Sequence, residues 1–152
     1  MHAWHGYYEM PAATAATIDG GGWLHTGDLA SMDDRGYCRI EGRLKDMIIR
    51  GGENIFPREI EQRLFTHPSV GDAAVVGIPD EKWGEQVCAF VRAAPGASVD
   101  RDELDAHVRA ELAAYKAPRL WVFVDEFPMT PSGKIQKFVL RDRFVAGELP
   151  EV

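Results

Sequence analysis

From residue 44 onward the chain alternates between apolar runs of strand length and stretches whose apolar positions recur every three or four residues. Met47-Ile48-Ile49 reads as a short strand. Pro57 stands where proline is tolerated at a helix start, and Ile60 and Leu64 fall four apart on one face of the helix it opens. The His67-Pro68 pair ends that helix. Val70 to Ile78 contains Ala73-Ala74-Val75-Val76, an unbroken run that predicts a strand buried on both faces, and Gln86 to Ala93 follows as another. Asp100 and Glu103 have the spacing of a capping box, with Leu104, Val108, Leu112 and Tyr115 lining the inner face of the next helix until Pro118. Leu120 to Val124 is a further strand. A loop with Pro128 and Pro131 then carries Gly133-Lys134 at its tip, and Phe138 to Phe144 forms a last short helix. The predicted fold class is α+β, a small three-stranded sheet covered by helices on one side.

The first 44 residues follow a different pattern. A loop or weak helical turn runs into Gly20-Gly21-Gly22, and residues 23 to 30 read as a short strand. Asp33-Asp34-Arg35-Gly36 suits a type I hairpin turn closed by a left-handed residue, and residues 37 to 43 return as the partner strand. These β-hairpins hold too few apolar side chains for a core of their own. They read as the trailing edge of something larger, so the chain divides into a trailing segment, 1–44, and a domain, 45–152.

Composition narrows the function classes. Hydrophobic residues make up 45% and charged residues 27% of 152, as in ordinary globular proteins. Seventeen basic against 24 acidic residues give a net charge of −7, which argues against a general nucleic-acid binder. Cys38 and Cys88 each fall inside a strand-like apolar pattern and read as buried free thiols. No window approaches the roughly 20 apolar residues of a membrane span. The start Met1-His2-Ala3-Trp4-His5 lacks the build of a signal peptide, so a cytoplasmic location is expected.

Several residues can carry chemistry. Asp28, after Thr26-Gly27, can cap a turn or accept hydrogen bonds from a pair of hydroxyls. Arg43 offers a planar fork of donors for an oxyanion or a surface ion pair. Gly51-Gly52 lets backbone amides approach a ligand closely. Lys134, after a glycine at a loop tip, is either a solvated lysine or a cation delivered to a reacting centre. His25 and His107 read as packed or solvated residues and Tyr37 as strand packing. No His/Cys grouping has metal-ligand spacing.

Three stretches in order carry a resemblance: Gly22-Trp23-Leu24-His25-Thr26-Gly27-Asp28; Gly42-Arg43-Leu44-Lys45-Asp46 with Gly51-Gly52-Glu53-Asn54-Ile55; and Pro131-Ser132-Gly133-Lys134-Ile135-Gln136-Lys137. Together they resemble the C-terminal part of the AMP-forming acyl-CoA synthetases, within the superfamily that includes luciferase and peptide-synthetase adenylation domains. The resemblance implies a two-step ligase, in which a carboxylic acid and ATP give an acyl-adenylate and CoA then displaces AMP. It implies that Asp28 and Arg43 bind nucleotide and that Lys134 is catalytic in the first step. It implies further that Lys45 is the hinge on which a lid domain rotates, and that Gly51, Gly52 and Glu53 serve the CoA step. ATP/AMP and CoA are then the ligands, and Mg2+ arrives with ATP, with no protein ligand expected in this chain.

The partners implied are the missing N-terminal domain and a small carboxylic acid. The isolated chain is expected to be inactive, because the phosphate loop and acyl pocket of that family lie in the missing domain. Tyr7, Tyr8, Trp23 and Leu24 are expected beneath that domain; if ordered without it, a second copy of the chain is one candidate cover, giving a homodimer. Two other readings stay open: a piece of a peptide-synthetase adenylation domain, and a non-catalytic α+β interaction module.

Overall fold

The computed structural model describes residues 5–152, which separate into two compact units, one ending at Leu44 and the other comprising Lys45–Val152. In the first unit a short helix, α1 (Pro11–Thr17), begins with proline at its first turn. It precedes an antiparallel hairpin of β1 (Asp28–Met32) and β2 (Cys38–Arg43). Asp33 builds the hairpin turn. Its Oδ1 accepts the backbone N–H groups of Tyr37 (2.9 Å) and Arg35 (3.0 Å), and the Tyr37 bond first, then the Arg35 guanidinium and N–H, hold its carboxyl below the usual carboxylate range.

The strand expected at 23–30 begins later, at Asp28, and runs to Met32. The reason lies in Asp19. Its Oδ1 accepts the N–H groups of Gly21 (2.9 Å) and Trp23 (3.0 Å), folding the glycine run into a side-chain-capped turn. Of the described residues in this unit only Gly42 is buried. Tyr8 is 87% and Trp23 75% exposed, with Tyr7 and Leu24 about half exposed as well. Cys38 is exposed too, against expectation, because no layer packs on either face of the two-stranded ribbon within this unit.

The second unit begins, after a 3-10 turn at Leu44–Asp46, with β3 (Ile48–Arg50) and β4 (Glu53–Ile55). Then come α2 (Pro57–Phe65), β5 (Val70–Asp80), β6 (Gly84–Ala93), α3 (Arg101–Arg109), β7 (Leu120–Phe123) and α4 (Lys137–Val145). The three expected strands are β5, β6 and β7. Strand β6 pairs antiparallel with β5 along its length and parallel with β7 through Cys88–Val91. The β3–β4 hairpin joins at Arg50↔Gly84, making five strands.

Alternation along these strands sorts the core into two layers. Val75, Val87, Ala89, Val91 and Trp121 meet Ile60 and Leu64 of α2 and Leu104 and Val108 of α3. On the other face Ala74, Val76, Cys88, Phe90 and Val122 meet Leu140 and Phe144 of α4. The Phe90 and Phe144 rings contact edge to face, 6.1 Å between centroids. Helices therefore cover both faces rather than one, because α4 carries its own apolar pair four residues apart. Burial pushes the Cys88 thiol far above its ordinary range, which keeps it unreactive.

Helix α3 is capped as expected at its start, where the Asp100 carboxylate accepts the Glu103 N–H at 2.9 Å. The reciprocal half of the box is absent. Glu103 reaches instead to Nε2 of His67, 3.2 Å away and 7% exposed. Helix α3 also stops at Arg109, so Leu112 packs only at the core margin and Tyr115 is exposed, not on the inner face. His107 is structural: its backbone carbonyl accepts Arg63 Nε at 2.9 Å, which ties α3 to α2. No helix among the described residues is long and apolar enough to cross a membrane.

Candidate functional site

Hairpin register brings two of the expected residues together. Asp28 and Arg43 are cross-strand partners at the open end of β1–β2, and Arg43 Nε donates to Asp28 Oδ1 at 3.2 Å. Two bonds fix this end: the Asp28 N–H to Thr26 Oγ1 (3.1 Å) and the Leu44 N–H to the Gly27 carbonyl (2.8 Å). The contact uses one carboxylate oxygen and one guanidinium nitrogen. The other oxygen and the terminal fork have no partner among the described residues and can still receive a diol or an oxyanion.

His25 faces elsewhere. Its Nε2 lies 2.9 Å from Asp19 Oδ2, and that contact, more than the turn's backbone N–H bonds, lowers the Asp19 pKa. His25 is thus a fastening of the glycine turn. An aspartate three residues before a Gly-Trp pair is the sequence signal for this turn.

In the second unit, Gly51 (φ +59°) and Gly52 (φ +88°) form the two-residue link between β3 and β4. Two successive left-handed residues define a type I′ turn, which glycine adopts without strain. Gly51 has a second constraint, since its N–H donates to the Trp83 carbonyl at 2.8 Å and a Cβ there would lie 2.7 Å from Trp83 Cε3. The Trp83 indole is flanked by Arg50 and Lys82, each 4.9 Å from the ring centroid. Glu53 opens β4 with its side chain exposed.

Trp83 is a contact that sequence reasoning passed over, because a lone tryptophan in a polar loop gives no hint of the turn it meets. Gly51→Ala combines a left-handed alanine with that clash and is expected to destabilise the second unit by roughly 1–3 kcal/mol. Denaturant unfolding followed by tryptophan fluorescence measures it. A loss within error of zero would show that neither the left-handed backbone nor the indole clash is costly at this position.

Lys45 is exposed in the turn Leu44–Asp46 and has no ion-pair partner among the described residues. It lines a cleft of about 170 Å³ with Asp46, Glu85, Lys137, Phe138 and Arg141.

Lys134 lies on a separate hairpin loop. Its carbonyl accepts the Thr130 N–H (2.8 Å), its N–H donates to Thr130 Oγ1 (3.0 Å), and the Gly133 N–H reaches the Thr130 carbonyl (2.9 Å). Gly133 takes the left-handed conformation, φ +77°, that this closure needs. Backbone and threonine thus hold the lysine's Cα firmly. Its side chain is exposed, and its ammonium meets no carboxylate among the described residues. Neither is there, among them, a group of three or more His, Cys, Asp or Glu side chains placed to hold a metal ion.

The chain is similar to known proteins over most of its length. The chain is 48% identical over 138 residues to the medium-chain acyl-CoA ligase ACSF2 of Rattus norvegicus, a match covering 91% of this chain and 22% of that one. It superposes on the crystal structure of ATP-bound MatB from Rhodopseudomonas palustris with a TM-score of 0.84 and 39% identity, over 92% of this chain and 28% of that one. A Mycobacterium tuberculosis fatty acyl CoA synthetase gives 0.71 and 43%, over 94% of this chain and 28% of that one. The chain thus spans about a quarter of the length of such relatives. Residues 59–134, half of the chain, match the family described as AMP-binding enzyme C-terminal domain, and the chain belongs to that family.

Proposed function

We propose that the chain is the lid portion of an AMP-forming acid–CoA ligase, with the edge of the large domain attached. In the first half-reaction a carboxylate oxygen attacks the α-phosphorus of ATP. The bond to the β-phosphate oxygen breaks, and pyrophosphate leaves with the electron pair. The Lys134 ammonium stabilises the charge that develops on the α-phosphate and bridging oxygens. Asp28 accepts from the ribose hydroxyls, and Arg43 donates to ribose or phosphate oxygens. In the second half-reaction the CoA sulfur attacks the acyl carbon, the thiol proton passes to solvent, and the bond to AMP breaks. The Gly51-Gly52 backbone lines the path of the pantetheine arm and Glu53 orients the thiol end. Magnesium comes with ATP as part of the substrate.

The observation that carries this reading is Lys134, whose ammonium has no partner among the described residues and stands on a loop whose backbone is closed tightly behind it. Lys45 suits the hinge because the division between the two compact units falls between Leu44 and Lys45, and its side chain is solvated. The remainder of the site must come from other segments, since positioning of ATP and acid needs walls on both sides.

A chimaera tests the proposal. This chain replaces the matching segment of the Rattus norvegicus ligase, with a medium-chain fatty acid as substrate. Pyrophosphate release and acyl-CoA formation are expected from the chimaera, and neither from the isolated chain. A chimaera without activity, or an isolated chain that forms acyl-adenylate, would overturn it.

A further inference from the structure

We propose that Glu61 and Lys137 are positioning residues that set the reach of Lys134, an inference resting on the adenylation role just given. Glu61 belongs to α2 and its side chain is 15% exposed. Its Oε1 accepts the Val75 N–H at 2.7 Å and lies 2.6 Å from Lys137 Nζ. One carboxylate oxygen therefore joins α2, β5 and the first residue of α4. Lys137 stands three residues beyond Lys134. Between them Ile135 packs against the second core layer, and the Gln136 N–H is held by the Pro128 carbonyl at 2.8 Å. Leu140, buried one turn further on, secures the same end of the helix. The descending stem of the Lys134 loop is thus anchored by packing and by a single ion pair.

The charge of Lys137 makes little sense locally. It sits in the first turn of α4, where the helix dipole disfavours a cation. That turn has no acidic residue, and no side chain caps it. Its counter-charge is Glu61, distant in sequence, and a carboxylate this enclosed is costly unless paired. The pair holds the loop at a fixed height above the sheet. Displacement of a catalytic ammonium by about an ångström costs as much as 100-fold in rate.

The half-reactions separate this role from simple stability. Lys134 serves only adenylation, whereas transfer from a supplied acyl-adenylate to CoA does not need it. Glu61→Gln retains an oxygen for the Val75 N–H but loses the charge pair. In the chimaera it is expected to lower the kcat of adenylation roughly tenfold, with KM for ATP and the CoA transfer step unchanged. Lys137→Met should behave alike, and Lys137→Arg should restore most of the rate. If Glu61→Gln and Lys137→Met adenylate normally while Lys134→Ala is impaired, the positioning role is wrong and the adenylation role stands. If both half-reactions fall together with the melting temperature, the pair is purely structural and the inference fails. If Lys134→Ala itself adenylates normally, the adenylation role fails and takes this inference with it.

Discussion

Lys134→Ala in the chimaera slows acyl-adenylate formation by about 10²–10³-fold, the loss seen when one preorganised donor is removed from a developing oxyanion. Thioester formation from a supplied acyl-adenylate keeps its rate. The selectivity follows from where the lysine stands in each step. Phosphate oxygens gain charge in both half-reactions, on pyrophosphate in the first and on AMP in the second, but under the proposed rotation at Lys45 the Lys134 ammonium, unpaired among the described residues, meets only the first. The interaction exists in the transition state and little in the ground state, so kcat falls while KM for ATP changes little. Lys134→Arg recovers part of the activity, since a planar fork cannot reproduce a compact ammonium at one point. Pyrophosphate release and acyl transfer, measured separately, decide the matter, and equal losses in both steps would rule out this assignment.

Trp121→Ala lowers the stability of the second unit by roughly 3–5 kcal/mol, the usual cost of emptying a large aromatic site in a core. Trp121 is 1% exposed and belongs to the four-residue strand β7, which pairs with β6 alone among the strands. Its ring fills the layer shared with Leu64, Leu104 and Val108. So short a strand depends on this packing more than on its ladder. The urea midpoint should fall with little change in m, since the surface exposed on unfolding stays nearly the same. A loss under about 1 kcal/mol would show that the layer collapses around the gap.

The parts of the fold readable from the amino acids were those whose signals are local. Pro57 at the first turn of α2, the Asp100 cap of α3 and the apolar runs of β5 and β6 each act within a few residues. Strand β4 was not readable, because Glu53-Asn54-Ile55 has a single apolar residue and owes its pairing to the glycine turn before it. The start of β1 was misplaced because a carboxylate, Asp19, outcompetes extended backbone for the N–H groups of Gly21 and Trp23. The second cover on the sheet was missed because Leu140 and Phe144 look the same whichever face they meet.

The site divides similarly. Residue type and the order of motifs singled out Asp28, Arg43 and Lys134, and hairpin register explains why the first two touch. The Trp83 seat of Gly51 and the Glu61–Lys137 pair join segments far apart in the chain, and neither leaves a mark in any short window.

The Asp80 carboxylate that accepts the Lys82 and Trp83 N–H groups closes the link between the two longest strands within three residues. Joining β5 to β6 therefore costs little chain entropy, whereas β7 must return alongside β6 after the whole α3 crossover. The order of assembly follows. The β5–β6 ribbon is expected to zip first and offer a ready edge, with β7 docking after it.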